Sequence, residues 1–241
     1  MSTTSTISWP DDWDINPDNF ESEDELESAL IAKFQESRQL YQSFAQHWHD
    51  LPYLLTLMIT HSWYADSEIS ITDLRDLESN AINGDFASIQ DYLIDYFRNK
   101  ADDIQRRVCE RYPHRTEIVA EAFVAHGEGR YVLAIPVFLA QADGISEELF
   151  GEHFFIYGQF GDTVKKVLRN GQLTDYGRLL LDPLVQRGKI REHTNTLLNQ
   201  TDYLNRHAIL HGMDLNYATE KNALKSISLL AYFLLAQTLN G

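Results

Sequence analysis

The segment TEKNALKSISLLAYFLLAQTL, residues 219–239, is the most informative part of the sequence for the fold. Its spacing predicts an α-helix with an apolar stripe formed by Ala223, Ile227, Leu230 and Leu234. Further apolar side chains cover much of the remaining circumference, namely Leu224, Leu229, Tyr232, Phe233 and Leu235. A helix that is apolar on nearly all sides is buried on more than one side. We therefore expect this helix at the centre of a bundle or at a homodimer interface.

Most of the remaining chain also shows helical periodicity. Ser22 and Glu25 form a capping-box pattern, which predicts a helix from Ser22 to about Gln46. Further helical or apolar segments are predicted at 51–64, 86–111, 115–125, 131–142, 176–186 and 191–210. Asp143-Gly144 is expected to be a turn that ends the 131–142 helix. Residues 154–162 fit a loop or short strand as well as a helix. The sequence as a whole predicts an all-α protein.

Composition and turn residues suggest three regions. Residues 1–22 are rich in Ser, Thr, Asp, Asn and Pro, and we expect them to form a flexible acidic arm. Residues 23–112 are expected to form an N-terminal helical region, and Tyr112-Pro113 is expected to end its last helix, which gives a soft boundary. Residues 113–241 then form a C-terminal helical bundle.

The net charge argues against a protein that coats nucleic acid non-specifically. The 241 residues carry a formal net charge of −16, whereas phosphate backbones are bound mainly by clustered Lys and Arg. Residues 163–241 differ, because they hold 10 basic and 6 acidic residues. The C-terminal third is thus the part of the chain whose charge favours an anion.

Apolar runs and cysteine content indicate a cytoplasmic protein. The longest apolar run, 229–236, has eight residues, too few to span a bilayer. The first thirty residues contain no Lys or Arg and no apolar block, so no secretory signal is expected. A single cysteine, Cys109, cannot form an intrachain disulfide, which agrees with a reducing compartment.

The segment NRHAILHG, residues 205–212, is the strongest candidate site. It contains Arg206 and His211 with four residues between them, and Gly212 is well suited to end a helix. His207 and His211 share a helix face. Cleavage of RNA by its own 2′-hydroxyl needs a base, an acid and a cation for the charge that builds on phosphorus. Imidazole serves as base or acid near neutral pH, and guanidinium matches phosphate oxygens.

The segments LNRHAILHG and YATEKNALKSISLLAYFL together resemble the HEPN superfamily of nucleotide-binding proteins, and YVLAIPVFLAQADGI looks similar to a segment of bacterial members. The resemblance covers residues 113–241. It implies a four-helix bundle with an R-x4–6-H motif between its last two helices, and a homodimer that brings two motifs together. It also implies metal-independent RNA cleavage by Arg206 and His211, with His207 in the polar place after the Arg, as in toxins and phage-defence effectors.

Other interpretations of the same residues remain open. Arg206 fits a cation at helix C-terminal carbonyls, and His211 fits an ordinary capping residue. Spacing alone is weak, because Arg187/His193 and Arg107/His114 also match R-x4–6-H. His207 and His211 also form an H-x3-H pair for zinc, but the sequence offers no obvious third ligand.

Several further residues are candidates for the same site. Asn205 and Asp143 are expected to support it, Asp143 by orienting a histidine unless it belongs to a turn. Five basic side chains are candidates to flank a strand of RNA, although solvated helix faces explain them equally well: Lys165, Lys166, Arg187, Lys189 and Arg191. Phe154 and Phe155 fit base stacking or core packing.

The sequence therefore leaves two main functional hypotheses. The first is an endoribonuclease that needs no metal or cofactor and acts as a homodimer on RNA, with a protein partner such as an antitoxin. The second is a non-catalytic helical module for dimerisation or protein interaction. A nucleotide-binding transferase is a third, but the sequence contains no P-loop.

Overall fold

The computed structural model of the chain describes residues 22–156, 159–170, 173–185, 188–192 and 204–240. All regular secondary structure in these residues is helical, which confirms the predicted fold class. The α-helices are α1 Glu23–Thr60, α2 Ile71–Ile82, α3 Phe86–Arg111, α4 Thr116–Gly127, α5 Tyr131–Phe150, α6 Gln159–Asn170, α7 Asp175–Leu181, α8 Arg206–Leu210 and α9 Glu220–Asn240. Short 3-10 turns occupy Pro113–Arg115, Asp182–Val185 and Lys189–Arg191.

The chain divides into two compact units, residues 1–49 and 50–241. In the first unit, the Ser22 side chain accepts a hydrogen bond from the Glu25 N–H at 3.3 Å, as the sequence predicts for a helix start. The acidic arm lies outside the described residues except for Ser22. The boundary proposed at residue 113 falls inside the second unit, where α3 packs against α4 and α9.

Helix α9 is the centre of the second unit. It packs against α3 and α5, and α4 packs against both of these helices. Every residue from 222 to 236 is buried, as expected for a helix that is apolar all round. Lys225 is among them, and its Nζ lies 5.8 Å from the centre of the Trp63 ring. Burial of apolar surface on several sides of one helix is the main stabilising contribution in such a bundle.

Helix α5 differs from its prediction at Asp143-Gly144. These residues do not form a turn, because the helix continues to Phe150 and ends at Gly151 with φ 71°. The glycine provides space instead: a Cβ atom on Gly144 would lie 2.7 Å from the guanidinium nitrogens of Arg115. Glu148 and Gln141 hold that guanidinium in place. The close approach of Arg115 thus accounts for the glycine in Asp143-Gly144, a pair that is otherwise typical of turns.

The structure also differs from the prediction of one helix over residues 191–210. Residues 189–191 form a 3-10 turn, residues 193–203 lie outside the described residues, and α8 contains only the five residues 206–210. Gly188 permits a close approach before this turn, because an added Cβ would lie 2.9 Å from the backbone oxygen of Ile59. Among the described residues, no helix has both the length and the apolar character needed to cross a membrane.

Candidate functional site

Helix α8 carries the predicted catalytic pair at its two ends. Arg206 is its first residue and His211 follows its last. Gly212 then adopts a φ of 67°, the left-handed region that favours glycine. The predicted glycine stop is therefore observed, although the helix before it is much shorter than expected.

Asn205 builds the start of α8. Its side-chain oxygen accepts a hydrogen bond from the Ala208 N–H at 2.8 Å. Its amide nitrogen donates to the backbone oxygens of Lys189 at 2.9 Å and Glu192 at 2.8 Å. Because Asn205 is only 4% exposed, all of these bonds are shielded from water. This residue, predicted as a supporting polar contact, joins α8 to the 189–191 turn.

We expect replacement of Asn205 to destabilise the site and the fold together. Asn205→Ala removes the helix cap and leaves two backbone oxygens without their donor, which costs about 2 to 4 kcal/mol of unfolding free energy. Asn205→Asp retains the capping oxygen but sets a carboxylate against both carbonyls, so it should also be destabilising. Urea denaturation measures both effects, with the exposed Asn216→Ala as control. Equal stability of Asn205→Ala and the wild type would contradict this role.

Arg206 lies on an aromatic ring. Its guanidinium carbon is 5.4 Å from the centre of the Phe155 ring, a cation–π contact. No carboxylate among the described residues pairs with it. Arg98, Arg107 and Arg115, by contrast, form ion pairs with Glu220, Asp66 and Glu148. In this strongly acidic chain, Arg206 keeps a positive charge that the described residues do not neutralise.

The two histidines of the motif are adjacent. The ring centres of His207 and His211 lie 4.3 Å apart, as their spacing of four residues predicts. His211 is exposed and His207 is partly buried. Arg206 contacts Phe155 rather than this pair, which agrees with the angle of about 140° that five helical steps give. The structure thus brings the two imidazoles together and directs Arg206 to a different neighbour.

Asp143 contacts the loop beneath Arg206. Its Oδ1 accepts a hydrogen bond from the Phe155 N–H at 3.0 Å. Its Oδ2 lies 3.4 Å from His153 Nδ1. Asp143 therefore lies beside a histidine, His153, that is outside the R-x4-H motif. No spacing pattern in the sequence indicates Phe155 as the support of Arg206.

The predicted RNA-binding cations have different environments. Arg191 lies over the rings of Phe154 at 4.7 Å and Phe160 at 5.1 Å, inside the aromatic core. Lys189 Nζ lies 3.6 Å from Glu192 Oε2. On α6, Lys165 Nζ lies 3.4 Å from Asp162 Oδ1. Lys166 is exposed on α6. Arg187 lies outside the described residues. Of the described cations, Arg191, Lys189 and Lys165 therefore have aromatic or carboxylate partners within the chain.

The competing R-x4–6-H match at Arg107 and His114 has structural partners. Arg107 donates two hydrogen bonds to the buried carboxylate of Asp66, at 3.1 and 2.7 Å. His114 Nε2 lies 2.9 Å from Glu148 Oε1. The match at 187 and 193 lies outside the described residues. Of the two described matches, the one on α8 has the guanidinium without a carboxylate partner.

Two open clefts among the described residues are lined by side chains outside the candidate site. One has a volume of 540 Å³ and is lined by Ser67, Glu68, Arg107, Glu110, Arg111, Leu234, Gln237 and Thr238. The other has a volume of 350 Å³ and is lined by Pro52, Leu168, Arg178, Leu179, Asp182 and Pro183. Neither of these two clefts is lined by Arg206 or His211. Within the described part of the chain, no three His, Cys, Asp or Glu residues are grouped to hold a metal ion.

Comparison with protein-family models, with curated proteins and with solved structures found no match to this chain.

Proposed function

We propose that the protein is a metal-independent endoribonuclease of the HEPN type, with Arg206 and His211 as its catalytic residues. The observation that carries this proposal is the arrangement at α8: an unneutralised guanidinium on Phe155 at one end and an exposed imidazole at the other. The sequence resemblance of residues 113–241 to that superfamily, which includes the same Arg206 and His211 motif, also supports it.

The chemistry requires one proton to be removed and one to be delivered. An imidazole takes the proton of the 2′-hydroxyl, and the resulting O2′ attacks the adjacent phosphorus. The bond from phosphorus to O5′ breaks, an imidazolium protonates the leaving O5′, and a 2′,3′-cyclic phosphate remains. The Arg206 guanidinium stabilises the additional negative charge on the phosphoryl oxygens. His207 supports His211 through the contact between their rings.

A homodimer would supply the second imidazole. Apolar side chains are exposed around the site, on α8 and the loop after it at Leu210, Met213 and Leu215, and on α5 at Val132 and Leu133. The Tyr217 hydroxyl donates to the Val132 backbone oxygen at 2.9 Å and so joins the two segments. Exposed apolar side chains in a group are typical of protein interfaces. In this proposal, two copies of the chain pair here and place two R-x4-H motifs on one RNA strand.

The biological setting is proposed from the resemblance alone. It is cytoplasmic RNA cleavage by a toxin or a phage-defence effector, with an antitoxin or another protein as partner. The formal net charge of −16 agrees with a nuclease that contacts few phosphates.

The direct test is cleavage of single-stranded RNA by the purified full chain in excess EDTA. We expect internal cuts that leave 2′,3′-cyclic phosphate ends and no cleavage of the matching DNA, which lacks the 2′-hydroxyl. Cleavage that stops in EDTA, or that also cuts DNA, would contradict the mechanism.

The exposed apolar residues also favour a second function, a non-catalytic dimerisation or protein-interaction module. In this hypothesis the acidic arm of residues 1–22 also binds the partner protein. The hypothesis expects no RNA cleavage, and loss of the partner when residues 1–22 are removed. Retention of the partner by the shortened chain would count against it.

A further inference from the structure

We infer that Phe155 and Asp143 are positioning residues for the Arg206 guanidinium, with Phe155 acting as its platform and Asp143 fixing the loop that carries Phe155. The anion that Arg206 receives is, under the proposed function, an RNA phosphate, so that part of the inference rests on the proposal above. The positioning itself follows from contacts that do not depend on it.

Two side chains of α5 hold the loop of residues 151–156. Asp143 accepts the Phe155 N–H at 3.0 Å, and the Ser146 hydroxyl donates to the Glu152 backbone oxygen at 2.8 Å. Residues 143 and 146 are three apart, so they lie on the same face of the helix. The loop is therefore attached to α5 at two points, one of them the backbone of Phe155.

The Phe155 ring is also fixed from the side of the core. It packs edge-on against the Phe154 ring, with 4.9 Å between ring centres, and Phe154 is only 2% exposed. Phe155 itself is half-buried. A ring held by its backbone and by a buried neighbour is a stable support for a guanidinium.

Arg191 also stacks on an aromatic ring, but its other contacts differ from those of Arg206. Arg191 lies over Phe154, and its guanidinium also donates to the Leu184 backbone oxygen at 3.4 Å. For Arg206, the described residues provide the Phe155 ring and neither a backbone oxygen nor a carboxylate. An aromatic platform orients a guanidinium without neutralising it, whereas a carboxylate would do both. The Arg206 environment thus suits a cation that binds an external anion.

The first experiment measures position without activity. NMR of the arginine Nε–Hε groups in the full chain reports the ring-current shift that Phe155 gives Arg206. We expect Phe155→Leu to remove this shift, Phe155→Tyr to retain it, and Asp143→Ala to reduce it. The Arg191 signal, which depends on Phe154, is the internal control, and Ile156→Ala is a matched loop variant because Ile156 is exposed. An unchanged Arg206 signal in Phe155→Leu and in Asp143→Ala would overturn the inference.

The second experiment measures anion binding and cleavage. Titration with inorganic phosphate, followed at the Arg206 signal, should show at least fivefold weaker binding in Phe155→Leu than in Phe155→Tyr. Where the wild type cuts RNA, kcat should fall about tenfold in Phe155→Leu and recover in Phe155→Tyr. Absence of RNA cleavage in the wild type would reject the proposed nuclease but leave the phosphate result to decide the platform. Equal phosphate binding in Phe155→Leu and Phe155→Tyr would overturn the platform even where RNA is cut. Asp143→Ala provides the same comparison if Phe155→Leu does not fold.

Discussion

Replacement of His211 by alanine should lower RNA cleavage by about 10²- to 10⁴-fold, the usual contribution of a general acid or base. The residue is exposed and lies after the end of α8, where it contacts the His207 ring. Its removal therefore leaves no buried cavity, and the melting temperature should change little. The measurement is kcat/KM on a single-stranded RNA in EDTA, together with thermal unfolding of both proteins.

A matched histidine separates this effect from a general loss of positive charge. His114 is also exposed and also belongs to an R-x4–6-H match, but its imidazole lies beside the Glu148 carboxylate. We expect His114→Ala to cut RNA as the wild type does. Full activity of His211→Ala, or equal losses in both variants, would reject His211 as a catalytic residue.

The second large effect concerns the pH dependence of stability. Burial raises the pKa of Glu78, the nearby carboxylate of Asp50 also raises it, and Arg75 lowers it; together they give a pKa of about 7. Glu78 is only 4% exposed. In the folded protein this carboxyl group keeps its proton at a pH where the unfolded chain has lost it.

The sign follows from proton linkage. The contribution of Glu78 to stability is complete below its ordinary pKa of 4.5, decreases as the pH rises, and is lost above about 7. The free energy involved is on the order of 3 kcal/mol. Glu78→Gln resembles the protonated form at every pH, so we expect it to be more stable than the wild type at pH 8.

Urea denaturation at pH 5.5 and pH 8 tests this prediction. The wild type should lose more unfolding free energy between the two values than Glu78→Gln does. Glu121→Gln, on an exposed position of α4, is the control and should follow the wild type. If Glu78→Gln and the wild type change by the same amount, burial does not raise the pKa of this carboxyl group.

Periodicity predicts those elements whose limits are set locally. The limits of α3 agree with the prediction, 86–111, because Asp85 caps its start and the Tyr112-Pro113 pair follows its end. The burial of α9 follows directly from its apolar circumference. In both cases the residues that decide the structure lie within or next to the element.

Tertiary contacts account for the parts that the sequence did not predict. Gly144 looks like a turn residue, and only the Arg115 guanidinium, from the turn before α4, explains its place inside α5. At the candidate site, spacing identified Arg206, His207 and His211 but gave no sign of the Phe155 ring below Arg206. That contact depends on how α5 and its following loop approach α8. Sequence spacing alone cannot specify such an approach.

The burial of α9 also limits how the two hypotheses can be compared. Residues 220–240 supply the surface on which α3 and α5 pack, so a fragment without them would expose the inner faces of both helices. Such a fragment would be prone to stick to unrelated proteins, and its loss of RNA cleavage would say nothing about Arg206. Point substitutions in the intact chain are therefore the appropriate way to assign function, and deletion mapping across the second unit would mislead.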